Sequence, residues 1–145
     1  MKKRGQLDQP FVYIFILLVI ALIVIFGIQK INDVNEVKEK ATYIKFQSDF
    51  QDAITNVFNK NEGTLLSYVK GSRNQPLLLP KDIKEICFEQ QAARTKVIPD
   101  NLKYNDFTVD NLLPEENNFC IPAVSNTFSF KLEHKQQAVV ISNAN

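Results

Sequence analysis

The hydrophobic pattern of the chain changes twice, and the first pattern is a continuous apolar run. This run extends from Phe11 to Ile28 and contains no charged residue. As a helix with a rise of about 1.5 Å per residue it would be about 27 Å long, close to the thickness of the hydrocarbon core of a bilayer. The run therefore predicts a single membrane-spanning helix.

The second pattern predicts that this helix continues as a long stem. After the span no glycine occurs before Gly63 and no proline before Pro76, and the intervening residues tolerate or favour helix. Pro10 suits the first turn of a helix, and Gly63 suits its end. We expect one helix from about Pro10 to about Asn61, with a length of about 75 Å.

The apolar residues of the stem fall into two groups. The lower stripe comprises Ile31, Val34, Val37, Ala41 and Ile44. The upper stripe comprises Phe46, Phe50, Ile54, Val57 and Phe58. At 100° per residue the two stripes point in roughly opposite directions. Either the lower stripe meets other chains while the upper stripe meets the protein's own sheet, or the helix bends between Thr42 and Lys45 and both stripes share one core.

Beyond the stem, the apolar period shortens to two residues, which is typical of half-buried strands. The alternation is clearest from Phe128 to Leu132, and a terminal antiparallel hairpin is expected with the segment that follows it. The expected strands are 64–69, 83–88, 106–109, 128–132 and 138–142. The polar stretch 90–116 is expected to hold loops.

These patterns predict an α+β protein with a transmembrane helix, a long stem helix and a small antiparallel β-rich head that packs on the upper stripe. The predicted regions are a basic leader at 1–10, a transmembrane helix at 11–28, a stem at 29–62 and a head at 63–145.

Charges on either side of the span predict its orientation. The basic residues 2–4 precede it and are opposed only by Asp8, whereas the charges directly after it nearly cancel. Since basic flanks stay in the cytoplasm, we expect a cytoplasmic amino terminus and an extracytoplasmic head. The alternative is a cleaved secretory signal, but the apolar run is long for such a signal. The residues at 25–27 also lack the small side chains that a signal-peptidase cleavage site requires.

Composition limits the chemistry of the head. The net charge is +1, and no basic region indicates binding of nucleic acid. Cys87 and Cys120 are the only cysteines and lie on the predicted external side, where disulfides persist. We predict that they form a disulfide, the alternative being two buried free thiols. Two cysteines and the distant His134 do not match a zinc spacing, so no metal is expected.

Candidate catalytic groups are sparse. His134 is the only histidine, and no motif supplies a nucleophile for it, so a solvated turn residue is expected. Glu115 and Glu116 are adjacent but lack the further oxygen ligands of a calcium site. No glycine-rich phosphate loop occurs. We therefore expect no cofactor, no small-molecule substrate and no enzyme activity.

The amino-terminal sequence Lys3-Arg4-Gly5-Gln6, followed by the apolar helix, resembles the class III signal of archaeal type IV pilin-like proteins. The resemblance covers the leader and the hydrophobic helix, about the first 28 residues. It implies removal of the leader between Gly5 and Gln6, and a helix that enters a filament core or remains in the membrane. The family usually carries an acidic residue at the fifth position after cleavage, where this chain has Pro10, while Asp8 lies at the third.

Two functions follow as hypotheses. The first is a pilin-like structural subunit of the cell membrane whose assembly face is Val34, Val37, Ala41 and Ile44. The second is a single-pass binding module, or a small accessory subunit of a membrane complex, that forms no filament. The partners expected are membrane lipid together with further copies of the chain or another membrane protein.

Overall fold

The computed structural model describes residues 8–92 and 94–144. One helix, α1, spans Asp8–Phe58 and precedes every strand. The strands are β1 (Leu65–Tyr68), β2 (Leu77–Leu78), β3 (Glu85–Gln91), β4 (Arg94–Pro99), β5 (Phe107–Asp110), β6 (Leu112–Pro114), β7 (Phe119–Pro122), β8 (Thr127–Phe128), β9 (Phe130–Lys135) and β10 (Ala138–Asn143). The order confirms the α+β class. The chain divides into two compact units between Lys38 and Glu39.

In the N-terminal unit, the apolar residues of α1 from Phe11 to Ile28 are exposed along the whole run. Within the part of the chain that the structure describes, α1 is the one helix long and apolar enough to cross a membrane. A secretory signal shares this length and composition. Among the described residues of the N-terminal unit, this apolar run has no apolar partner.

Helix α1 runs without interruption through Thr42 and Lys45, so the bend considered from the sequence is not present in the described residues. It ends at Phe58, three residues before the expected end at Asn61. The end comes early because the Lys60 amide turns back to the Val57 carbonyl, a tighter bond than the α-helical one. Gly63 follows with a φ of 85°, a left-handed conformation that glycine adopts without strain.

The strands of the C-terminal unit form three sheets rather than the single antiparallel sheet expected. The first has the order β1-β9-β10-β6, the second pairs β2 with β8, and the third has the order β5-β4-β3-β7. All described pairings between these strands are antiparallel except β10 with β6, which run parallel. The predicted hairpin of β9 and β10 is present. The unit is therefore mixed in strand direction, although antiparallel pairs predominate.

The core of the C-terminal unit forms where the upper stripe of α1 meets the sheets. Phe46, Phe50, Ile54 and Val57 are at most 1% exposed. The Phe50 ring lies 6.0 Å from that of Phe128 in β8 and 5.4 Å from that of Phe130 in β9. The upper stripe thus packs on the strands that the alternation in the sequence had indicated. Phe58 lies at the margin, with its ring 5.5 Å from His134.

The segment 90–116 holds strands, contrary to the expectation of loops. It contains all of β4, β5 and β6 and the end of β3. In β4 the buried positions are Thr95, Val97 and Pro99, while Ile98 is only partly buried on the other face. A polar residue that faces inward and an apolar one that faces outward conceal the alternation. The Thr95 hydroxyl is satisfied there because it donates to the Leu112 carbonyl.

Candidate assembly and binding surfaces

The cysteines form the predicted disulfide across β3 and β7. Cys87 and Cys120 lie directly opposite each other in the antiparallel register, with their Cα atoms 4.0 Å apart. This spacing lies below the limit of about 7 Å beyond which two cysteines cannot be bridged without backbone movement. Because disulfides persist in oxidising compartments, the bridge favours an extracytoplasmic C-terminal unit.

The lower stripe differs sharply in burial from the upper stripe. In the N-terminal unit, Ile31, Val34 and Val37 are 62%, 64% and 67% exposed. In the C-terminal unit, Ala41 is exposed and Ile44 is 65% exposed, although Phe46 follows only two residues later at 1%. The alternative in which both stripes share one core is therefore wrong. In each unit, the described residues leave that unit's part of the lower stripe exposed.

A loop at 100–105 is fixed against one side of α1 through two tyrosines. The Tyr43 hydroxyl donates to the Asn105 carbonyl at 2.6 Å, and the rings of Tyr43 and Tyr104 lie 4.8 Å apart. Burial raises the pKa of Tyr43 to about 12, so the phenol stays protonated and keeps donating at physiological pH. The Tyr104 hydroxyl is buried and has no hydrogen-bond partner among the described residues.

Further contacts join the loop to the segment around Asp82 and Lys84. Asp100 Oδ1 accepts a hydrogen bond from the Lys84 amide at 3.0 Å, and Lys103 Nζ lies 3.5 Å from Asp82 Oδ2. The Asn101 side chain donates to the Asp82 carbonyl at 3.2 Å. Leu102 at the tip is 102% exposed. The loop therefore presents an aliphatic side chain to solvent on a backbone held at both ends.

A cleft of about 760 Å³ lies elsewhere on the C-terminal unit. Its aliphatic walls are Pro76, Leu78, Pro122 and Val124, and its polar lining is Lys70, Gln75, Ser125, Thr127, Ser129 and Asn143. Lys70 makes no ion pair in the described part of the chain. The cleft thus combines a cation and hydroxyl groups with apolar walls, and no motif in the sequence had indicated it.

His134 is not the solvated turn residue expected from the sequence. It lies on the buried face of β9, two residues from Leu132, and is 9% exposed. Its Nδ1 atom is 2.7 Å from the Lys60 carbonyl oxygen, which joins β9 to the chain just after α1. The expectation was wrong because the hairpin turn begins later, after Lys135. The contacts give His134 a structural role.

The remaining candidates are isolated. Glu115 and Glu116 are exposed, and no group of three or more histidine, cysteine, aspartate or glutamate side chains in the described residues is placed to hold a metal. The predicted cleavage position at Gly5 and Gln6 lies outside the described residues.

Comparison with known proteins adds no family. No protein-family model, no curated protein and no solved structure matches the chain. Function must therefore be inferred from the surfaces themselves.

Proposed function

We propose that the protein is a membrane-anchored, extracytoplasmic structural subunit of the pilin-like kind. Its apolar helix anchors it in the cell membrane, and the lower stripe packs against other copies. The observation that carries the proposal is the contrast along one helix between a buried upper stripe and an exposed lower stripe. Exposed aliphatic side chains in a row are typical of a surface that is covered in the assembled state.

The energetics of the helix support the same conclusion. An isolated helix gains little from propensity, and most helices in proteins are stabilised by packing of an apolar face. Full burial of a valine or isoleucine side chain contributes about 1.5–3 kcal/mol. Val34, Val37 and Ile44 gain little of this from the described residues, since each is more than 60% exposed. Contact with other copies would supply it.

Orientation and chemistry complete the proposal. The basic leader supports a cytoplasmic amino terminus, and the Cys87–Cys120 disulfide suits an oxidising exterior. The buried histidine is bound to a backbone carbonyl and offers no catalytic base to solvent. We therefore propose a structural role without enzymatic activity.

Lysine at two positions of the lower stripe should block assembly. Val37→Lys combined with Ile44→Lys places two charges on a surface that must be desolvated, which is costly without partners. We expect large oligomers to be lost while the disulfide and the fold of the C-terminal unit remain. Size-exclusion chromatography with light scattering on membrane-extracted protein measures the size of the oligomers. Circular dichroism measures the fold of the C-terminal unit, and thiol labelling measures whether the disulfide is intact.

The control for this variant is Asn35→Lys combined with Asn56→Lys. Both asparagines are exposed polar residues of the same helix, and the change adds the same charge. This control should assemble like the unaltered protein. Unimpaired assembly of the Val37→Lys/Ile44→Lys protein would contradict the proposal. A monomer bound to a different membrane protein through these residues would favour the accessory-subunit hypothesis.

Leader processing provides a second test. If the pilin-like signal is used, intact mass spectrometry of membrane-extracted protein should give the mass of a chain that begins at Gln6. The same spectrum should show the two-hydrogen deficit of the disulfide, which reduction removes. Gly5→Leu should retain the leader, because the peptidase of this family cuts after glycine, and serves as the matched control. An unprocessed wild-type chain would argue against the pilin-like pathway and for a simple anchor.

A further inference from the structure

Three short segments lie side by side to form the floor of the cleft. Leu78 and Val124 both pair with Thr127, one on each side of it, and all three side chains line the cleft. The next pair along, Leu77 and Phe128, faces the hydrophobic core instead. Because side chains alternate along extended segments, the residues two positions away from the first three return to the cleft. They are Pro76, Pro122 and Ser129.

Backbone hydrogen bonds hold this floor in place. The Val124 amide donates to the Thr127 carbonyl at 3.0 Å, and the Thr127 amide donates back to the Val124 carbonyl at 3.0 Å. Ser125 and Asn126 between them have φ values of 51° and 61°, the pattern of a tight two-residue hairpin turn. The Leu79 amide ties the chain after β2 to this turn through the Asn126 carbonyl, at 2.9 Å. The cleft is therefore preorganised, and binding of a ligand requires little ordering of the backbone.

The lining of the cleft carries a single sign of charge. Lys70 is the one charged residue among the ten described residues of the lining, and Ser125 and Ser129 add hydroxyl groups. Tyr68 of β1 pairs with Phe130 of β9. Lys70 comes two residues after Tyr68 and Ser129 one before Phe130, so in this antiparallel pair they lie on the same side of it. The ammonium and the hydroxyl can therefore bind one anionic group together, and no described lining residue carries a negative charge to oppose it.

We propose that the cleft binds a small organic anion, in which a carboxylate is joined to a branched aliphatic chain. Its carboxylate oxygens accept hydrogen bonds from the Lys70 ammonium and the Ser129 hydroxyl, and its aliphatic part lies between Leu78 and Val124. Hydrogen bonds to a charged group are stronger than those between neutral groups. The site goes beyond the proposed assembly, because its lining lies entirely within the C-terminal unit and requires no second copy.

Size and polarity distinguish this ligand from others. The volume of about 760 Å³ lies within the range of small-molecule sites, about 300–1,000 Å³. Leu78 and Val124 are 64% and 67% exposed, so an aliphatic ligand removes apolar surface from water on both walls. The described lining contains no aromatic ring on which a base could stack. An aliphatic acid therefore fits the cleft better than a nucleotide, although both are anionic.

Titration of N-acetyl-leucine into the full chain in detergent micelles tests the site. The probe carries a carboxylate and an isobutyl group, and N-acetyl-leucinamide is the matched control because it lacks the charge. NMR of the methyl groups of Leu78 and Val124 reports occupancy of the cleft. We expect saturable shifts with a Kd at or below about 1 mM for the acid, and binding about tenfold weaker or worse for the amide. Shifts that do not saturate with the acid, or equal binding of acid and amide, would overturn the inference.

Variants of the full chain locate the ligand in the cleft. Lys70→Gln should weaken binding of N-acetyl-leucine about tenfold and leave binding of the amide unchanged. Lys60→Gln, which removes the charge of an exposed lysine outside the cleft, should bind like the wild type. Val124→Glu, followed at Leu78, should abolish binding because it sets a carboxylate beside the ligand, and the exposed position accepts the change without unfolding. Wild-type affinity in Lys70→Gln or Val124→Glu would overturn the inference. Assembly does not enter the measurement, so the ligand site and the proposed function can fail separately.

Discussion

Replacing Phe50 with alanine should lower the free energy of unfolding of the C-terminal unit by about 3–5 kcal/mol. Phe50 is 0% exposed and lies at the centre of an aromatic cluster. Its ring lies within 6.5 Å of the rings of Phe46, Phe88, Phe107, Phe128 and Phe130. Truncation removes contacts with the helix and with strands from all three sheets at once, and the rigid surroundings cannot close the cavity.

Urea denaturation of the full chain in detergent, followed by near-ultraviolet circular dichroism of the aromatic residues, measures this loss. Asn56→Ala on the exposed side of the same helix is the matched control and should change the free energy of unfolding by no more than about 0.5 kcal/mol. A loss below about 1 kcal/mol for Phe50→Ala would mean that the helix does not pack on the sheets as described.

Removing the disulfide should cost about 3–4 kcal/mol of stability, the second largest effect we expect. The bridge closes a sequence separation of 33 residues and ties β7, the edge strand, to β3 beside it. Opening it restores conformational freedom to the unfolded chain. The test is the double change Cys87→Ala and Cys120→Ala, compared with wild type by urea denaturation.

The reductant supplies an internal control for this measurement. Dithiothreitol should destabilise the wild type by a similar amount and leave the double variant unchanged. Equal stability of oxidised and reduced wild type would show that the antiparallel pairing of β3 with β7 holds that edge by itself. A double variant that unfolds entirely would show the reverse, that the edge depends on the bridge.

The sequence predicts the elements whose period is regular. The upper stripe of α1 and the alternation at Phe128, Phe130 and Leu132 each repeat over several residues, and both are found where expected. The disulfide was predicted because the segment expected to be external contains two cysteines, and they can pair in only one way. In these cases the local pattern and the tertiary contact agree.

Other features depend on long-range contacts that no local pattern carries. β2 and β8 are only two residues long and exist through their mutual pairing. The parallel pairing of β10 with β6 joins segments whose local sequence gives no sign of direction. Lys70 and Val124 meet in the cleft only because the chain between them folds through the sheets. The exposed position of Leu102 was not predicted, because the local sequence does not show whether a leucine in a loop is exposed or buried.

In the membrane-anchored protein that we propose, the division of the chain between Lys38 and Glu39 has a consequence for release of the C-terminal unit from the cell surface. The aromatic residues that α1 contributes to the core begin at Tyr43, inside the second unit. A protease that cuts the helix near this division would shed a soluble fragment that retains its aromatic core and its disulfide. A cut at Gly63 would instead strip the core of its helix and leave an aggregation-prone remnant. Surface shaving of intact cells should therefore yield a stable fragment that begins near Glu39, and recombinant ectodomains should begin there as well.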